Sequence, residues 1–216
     1  MSMASHEFKT PLSTILSSLS LLEKYNQIPN TEESKKTKHF ERIRSNVRHL
    51  NNVLNDFLSL DKLQNGGLHI TKTSFYLRDF IENIIQDFDN QLKEGQKIEL
   101  HFDGHTTIET DENMLRNIMS NLLSNAIKYS AENQKIEITI SNQKSKTTIS
   151  VKDFGIGIPD EDKKHLFERF FRANNATNIQ GTGLGLTIVK RYLELLGGKI
   201  NFVSTYKVGT EFIIEI

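Results

Sequence analysis

Apolar residues near the start of the chain recur at helix-packing intervals. Phe8, Leu12, Ile15, Leu19 and Leu22 are separated by steps of 4, 3, 4 and 3, and Phe40, Ile43, Val47, Leu50, Leu54 and Phe57 by steps of 3, 4, 3, 4 and 3. Such spacing keeps one stripe of an α-helix apolar, so it predicts two helices with one packing seam each. Between them "NQIPNTEES" predicts the turn: Pro29 and Asn30 stop the first helix, and Thr31 with Glu33 or Ser34 starts the second. Two helices with one stripe each enclose little core. The pattern therefore predicts a homodimer in which two hairpins form a four-helix bundle; the alternative is a hairpin that packs only on the downstream domain.

Gly66-Gly67 breaks the second helix and sets the expected domain boundary, giving a hairpin over 1–66 and a second domain over 67–216. Strands and helices mix beyond it. "LHITKTSFYL" alternates like a strand, and "LRDFIENIIQDFDNQLKE" carries Phe80, Ile81, Ile84, Ile85, Phe88 and Leu92 on one helical face. "KIELHF" and "TTIET" read as short strands, and "DENMLRNIMSNLLSNAIKYS" as a helix with Leu115, Ile118, Met119, Leu122, Leu123 and Ala126 inward. "KIEITISN" and "TTISVKDF" read as a strand pair joined by a polar turn. A long glycine-bearing segment comes next, then the helix "LTIVKRYLELL", ended by Gly197-Gly198, and two closing strands, "KINFVS" and "GTEFIIEI". This order predicts an α+β chain: the helical hairpin, then one mixed sheet covered on one face by helices.

Composition narrows the function classes. The chain has 216 residues, with Lys+Arg and Asp+Glu both at 27 and a formal net charge of zero. A binder of nucleic acid or of anionic membrane needs an excess of positive charge, so neither is expected as a partner. There are no cysteines, which excludes disulfides and cysteine-based metal sites or nucleophiles. No run of about 18 apolar residues offers a membrane span. No signal peptide is evident. The opening "MSMAS" enters the helical pattern at once, so the sequence is expected to begin inside a longer protein.

Two constellations carry chemistry. The first is "SHEFKTPLS". At about 100° per residue, His6 lies roughly 160° from Phe8 on the seam, and Thr10 lies roughly 40° from His6. His6 and Thr10 then share the wet face with Ser13 and Ser17 below them. Glu7 is adjacent, and a carboxylate that accepts one ring N–H raises the basicity of the other nitrogen, leaving it nucleophilic. A second reading stays open, because Thr10-Pro11 is also a good helix start, with Thr as cap and Pro first, which leaves His6 in a frayed lead.

The second is a nucleotide site without a GxxxxGK[ST] loop. Asn121 and Asn125 are four residues apart on one helix face, with Lys128 and Tyr129 a turn further on. Amide oxygens suit a hard cation such as Mg²⁺, and Lys128 balances phosphate charge. In "DFGIGIP", Asp153 at a strand end can accept from an exocyclic amine such as that of adenine. Gly155 and Gly157 let backbone close on a flat ring, and Ile158 can pack on it. In "GTGLGL", Gly181, Gly183 and Gly185 let backbone N–H groups face an anion at a helix N-terminus, with Thr182 and Leu184 between them. The stretch between these motifs is long for a structureless loop, which predicts a lid. Its "FERFFR" offers Arg169 and Arg172 as phosphate contacts, and Phe167, Phe170 and Phe171 to seat it. Surface asparagines, an ordinary Asp-x-Gly turn, core phenylalanines and solvated arginines are the plain alternatives.

Taken in series, these residues closely resemble the catalytic core of a bacterial sensor histidine kinase of two-component signalling. "SHEFKTPL" is similar to its H box, "NLLSNAIKYS" to its N box, "DFGIGIP" and "GTGLGL" to its two glycine boxes, and "FERFFR" to its F box. The resemblance implies a dimeric phosphoacceptor hairpin followed by a GHKL-type ATP-binding α/β sandwich. It implies ATP and Mg²⁺ as cofactors, His6 as phosphoacceptor, Glu7 as the acid that orients the ring and takes its proton, and Thr10 as the residue that positions water for phosphatase action. It implies Asn125 as metal ligand, Asn121, Lys128 and Tyr129 on the nucleotide, and Asp153 on the adenine amine. Gly155, Gly157, Ile158 and the Gly181–Gly185 segment shape the pocket and lid; Arg172 reaches the γ-phosphate and Thr210 lines the base pocket. The implied partners are a second copy and the receiver domain of a response regulator, and the implied location is the cytoplasmic region of a protein anchored in the bacterial inner membrane. Lys9 stands where arginine is common in the family. Other GHKL ATPases, and a catalytically silent nucleotide-binding scaffold, are the rival readings.

Overall fold

The computed structural model describes residues 3–27, 33–64, 69–103, 107–143, 146–177, 179 and 181–216, with the side chains of 3–7, 27, 64 and 143 outside that description. It divides into two compact units, Met1–Gln64 and Asn65–Ile216. The Gly66-Gly67 break and the turn residues 28–32 lie outside the described residues.

The first unit is a pair of packed helices, α1 (Met3–Gln27) and α2 (Glu33–Gln64). Helix α1 runs through Pro11 rather than starting there, so the backbone at His6 and Glu7 is helical; their side chains are not among those described. The predicted seam divides into two. On α1, Pro11, Ile15, Ser18 and Leu22 are buried or half-buried, while Leu12, Leu16 and Leu19 stay exposed, Leu16 at 64%. On α2, Ile43 and Leu50 are half-buried and Val53 is buried, while Phe40, Val47, Leu54 and Phe57 are exposed. Phe8, Ile15 and Leu22 thus share one fate and Leu12 and Leu19 the other, as do Ile43 and Leu50 against Phe40, Val47 and Leu54, because a helix in a two-helix hairpin has one neighbour and covers only one side of its apolar stripe; Phe57, seven residues after Leu50, departs from this and is exposed.

In the second unit a five-stranded mixed sheet has the order β2-β4-β5-β7-β6: β2 (Lys97–Phe102), β4 (Lys135–Gln143), β5 (Lys146–Asp153), β7 (Gly209–Glu215) and β6 (Lys199–Thr205). Only β2 and β4 pair in parallel. One cross-strand row runs Leu100, Ile138, Val151, Phe212, Phe202. Strands β1 (Thr73–Tyr76) and β3 (Thr107–Thr110) do not join this sheet, contrary to the single sheet expected; they form a separate antiparallel pair. Each leads straight into a helix, so their pairing sets side by side the starts of α3 (Leu77–Phe88) and α4 (Glu112–Tyr129). Helix α3 is also shorter than its apolar pattern predicts, giving way to a 3-10 turn at Asp89–Gln91 and extended backbone at Leu92.

Helix α4 is the axis of this unit. Asp111 caps it, one carboxylate oxygen accepting from Met114 N at 3.0 Å and the other from Thr71 N at 2.8 Å. Leu115, Ile118, Met119, Leu122 and Leu123 are all 1% exposed or less, packed between α3, β5 and α6 (Gly185–Leu196). Helix α6 ends at Gly197, which takes the left-handed conformation expected of a helix-stopping glycine. Leu123→Ala removes a side chain from close packing and is expected to cost about 2–5 kcal/mol, read as an earlier unfolding midpoint of the second unit in urea.

Candidate functional site

The half-buried face of α4 carries Asn121, Asn125, Lys128 and Tyr129, while the next residues round the helix, Leu122, Leu123, Ala126 and Ile127, are buried. Helical spacing accounts for this division: four polar positions fall on one side of a stripe that anchors the helix to the sheet. Both glycine motifs close on that polar face. Backbone at Gly155 passes so near the Tyr129 carbonyl that an added Cβ would stand 2.3 Å from its oxygen, and Ile156 N donates to the same carbonyl at 3.2 Å. Added carbons at Gly181 and Gly185 would stand 2.4 Å from Lys128 Nζ and 2.6 Å from Asn121 Oδ1. The ammonium of Lys128 also lies 4.6 Å from the Tyr129 ring centroid. Gly185 begins α6, whose capping position, Leu184, supplies no side-chain acceptor, so the first N–H groups of that helix are open to an anion. Thr182 Oγ1 accepts from Leu184 N at 3.2 Å, and Gly183 O from Phe170 N at 3.0 Å.

Asp153 ends β5 at 6% exposure, in register with Thr210 on β7. Burial pushes its carboxyl up to about 6, opposed by backbone N–H groups of Gly155 and Thr210, the former at 2.9 Å. The hydroxyl of Thr210 lies 2.9 Å from Ser204 Oγ, which also donates to Gly209 O and accepts from Ile158 N at 3.0 Å. Ser204 is a buried hub of this pocket that no sequence motif signals.

The lid is more structured than its length suggests. A single turn, α5 (Asp160–Lys163), opens it, and a 3-10 turn occupies Asn174–Ala176. Buried Asp162 accepts from Asn174 N at 2.8 Å and from Asn174 Nδ2 at 3.2 Å, and Asn175 Nδ2 donates to Gly157 O at 2.8 Å. None of these three stood out in the sequence, because each pairs with a residue 12 or 18 positions away. Ile158 packs with Ala173, Ala176, Tyr129, Ile156, Leu166 and Phe202 in a small cluster under the lid. Phe167 meets Phe202 edge-on, with centroids 5.9 Å apart. Arg172 is engaged within the lid: its Nη2 donates to Ala176 O at 2.7 Å, to Thr177 O at 2.9 Å and to Ile179 O.

The site therefore gathers the buried carboxylate of Asp153, the start of α6, the Lys128 ammonium and the Asn121 and Asn125 amides around the two glycine motifs. Thr10 is exposed on α1 with Ser13 and Ser17, along one track of the other unit.

Comparison with known proteins agrees with this assembly. Residues 1–66 match the His Kinase A (phospho-acceptor) domain, and residues 110–216 match the histidine kinase-, DNA gyrase B- and HSP90-like ATPase family. Sensor histidine kinase YcbM of Bacillus subtilis is 32% identical over 98% of this chain and 68% of its own length. The autoinducer 2 sensor kinase/phosphatase LuxQ of Vibrio cholerae is 32% identical over 98% of this chain and 25% of its own. Among solved structures, histidine kinase ThkA in complex with the response regulator protein TrrA aligns at 25% identity and a TM-score of 0.73, covering 98% of this chain and 59% of that one. The chain spans from about a quarter to about two thirds of the length of these curated relatives. Among the described residues no helix is long and apolar enough to cross a membrane. The phosphoacceptor match at one end, the ATPase match at the other and the similarity to YcbM over 98% of this chain agree, and the chain belongs to the sensor histidine kinase family.

Proposed function

We propose that this chain binds ATP in its second unit, transfers the γ-phosphoryl to His6, and passes it on to an aspartate of a response-regulator receiver domain. The observation that carries the reading is the closing of both glycine motifs on Asn121, Lys128 and Tyr129 beside the buried carboxylate of Asp153. Asp153 accepts the adenine amine, with Thr210 beside it. Lys128 and the open start of α6 take the phosphates. The Arg172–carbonyl bonds hold the lid turn in shape, and release of that turn frees the guanidinium for the γ-phosphate. Asn125, a hard oxygen donor on the same half-buried face of α4, fits a Mg²⁺ ion, which when bound neutralises phosphate charge.

In the transfer, a ring nitrogen of His6 forms the N–P bond as the bond from the γ-phosphorus to the bridging oxygen breaks. ADP leaves, and the ring proton passes to Glu7. Catalysis is mainly positioning and charge neutralisation. Thr10, exposed one turn below His6, orients water in the reverse duty, dephosphorylation of the regulator, an activity that LuxQ carries in its name. The exposed Ser13–Ser17 side of α1 offers the receiver domain its track, and ThkA, a structural relative, is seen with a response regulator.

Incubation with γ-labelled ATP and Mg²⁺ tests the reading: acid-labile, alkali-stable label on the protein is expected. No label on the protein would sink it, whereas ATP consumption without protein label would favour another GHKL ATPase.

The exposed residues Leu12, Leu16, Leu19, Phe40, Val47 and Leu54 support a homodimer, each hairpin covering the other's open stripe. The chain is then expected to sediment at twice its 24.8 kDa mass. Val47→Asp with Leu54→Asp is expected to return it to the monomer mass in analytical ultracentrifugation, since two carboxylates buried in that stripe lack partners.

A further inference from the structure

An α-helix leaves its last four carbonyls without donors of its own. At the end of α4 the first of those carbonyls, Ala126 O, accepts from the cap Ser130 N at 3.1 Å, and the other three are taken up by two segments distant in sequence. Ile127 O accepts from Gln96 Nε2 at 3.2 Å, Lys128 O from Lys93 Nζ at 2.9 Å, and Tyr129 O from Ile156 N at 3.2 Å. Just beyond, Ser130 O accepts from Lys93 Nζ, and Ala131 O from Gln96 Nε2 at 3.0 Å.

Lys93 and Gln96 belong to one tight turn between α3 and β2. Gln96 N donates to Lys93 O at 3.0 Å, Gln96 Oε1 accepts from Lys93 N at 2.9 Å, and Gly95 between them has φ +69°. The turn is zipped to the chain leaving α4, Asn133 N donating to Glu94 O at 2.9 Å and Lys97 N to Gln134 O at 3.3 Å. Gln96 is 6% exposed, and these bonds use both its amide oxygen and its amide nitrogen. The Lys93 ammonium sits at the negative end of the helix dipole. The helix end is thus held from one side by Lys93 and Gln96 and from the other by the first glycine motif.

We propose that Lys93 and Gln96 are positioning residues for the nucleotide site. They fix the last turn of α4, and through it hold Lys128 against Gly181 and Tyr129 against Gly155. The inference rests on the ATP-binding reading of that site. With Lys93 removed, Lys128 O loses its donor, Ser130 O keeps only Gln96 Nε2 at 3.5 Å, and the last turn loosens. Lys128 and Tyr129 then spend part of the time out of register with the glycine motifs. Affinity for ATP falls, while transfer from the fraction that binds is unchanged.

The test is ATP binding by calorimetry, well below the melting temperature, on the wild type, Lys93→Met, Lys93→Arg and Gln96→Leu. Lys93→Met is expected to raise the Kd about tenfold, with Lys93→Arg recovering most of that loss and the autophosphorylation rate at saturating ATP staying within about twofold. A Lys93→Met protein that melts earlier but binds ATP within about twofold of wild type overturns the proposal, leaving the clamp a structural cap. Should Lys93→Met fail to fold, Gln96→Leu carries the same comparison with the same overturning outcome. A wild type that binds no ATP overturns the site reading itself, and a wild type that binds while the variants match it overturns only the clamp.

Discussion

Replacing His6 with glutamine is expected to abolish labelling of the protein from γ-labelled ATP completely, while leaving ATP affinity within about twofold of wild type. The two halves of that outcome have separate causes. Glutamine is similar in reach, but its amide nitrogen has no free lone pair to attack phosphorus, so the N–P bond cannot form. Every residue assigned to the nucleotide lies in the second unit, residues 65–216, and α1 contributes none of them. The comparison therefore separates acceptor from donor. Label that survives in His6→Gln would move the phosphoacceptor to another residue. Lost label together with lost ATP binding would mean that the substitution had damaged folding, and calorimetry distinguishes the two. Asn125→Ala is the complementary control: it leaves His6 intact and removes the amide assigned to Mg²⁺.

Asp153→Asn is expected to weaken ATP binding at neutral pH and at the same time to stabilise the unliganded protein. The carboxyl is buried and titrates at about 6 in the fold, against 3.8 as a free side chain. A raised carboxyl value means that the folded state holds its proton more tightly than the unfolded chain does. The contribution of this one group to stability is therefore greatest below about pH 4, declines as pH rises through the interval, and is lowest once it is ionised above about 6, a difference of about 3 kcal/mol. Asparagine cannot ionise, so the unliganded variant is expected to melt above wild type at pH 7.5 and to match it more closely at pH 5. Binding runs the other way. The adenine amine needs the ionised acceptor, and a hydrogen bond to a charged group is worth about 1.5–3 kcal/mol, or roughly 10- to 150-fold in Kd. Wild-type affinity is expected to fall as pH drops through 6, and the variant to lose that dependence. Protonation of ATP itself is common to both proteins and cancels in the comparison. A variant whose affinity tracks the wild-type pH profile would remove Asp153 from the base pocket.

Much of this was legible in the sequence because the signals are local. The periods of α1, α2, α4 and α6, the strand pair β4–β5, and the glycine motifs each fall within a window that one element spans. Asp153 at a strand end and the amides of α4 on one face came from spacing alone. The less legible parts are those where a residue's partner is distant. The 3.6-residue pattern continues past Phe88 to Leu92, yet the helix stops early, because Leu92 and Lys93 lead into the turn that closes on α4. Asn175 gives no signal in the sequence, because its Nδ2 donates to Gly157 O, 18 residues back. Ile158 packs with Phe202, 44 residues on, a neighbour that no local window shows.

By itself, the sequence determined a helical hairpin, a mixed α/β unit after it and the residue types that make a phosphoacceptor and a nucleotide site, since periodicity, turn chemistry and motif order are properties of neighbouring residues. Tertiary structure decided which half of each apolar stripe is covered, that β1 and β3 leave the main sheet, and that Asp153 is buried deeply enough to titrate near neutrality. It also decided which groups answer the open carbonyls of α4. Burial and hydrogen-bond satisfaction depend on what else arrives at a point in space, and spacing along the chain does not carry that information.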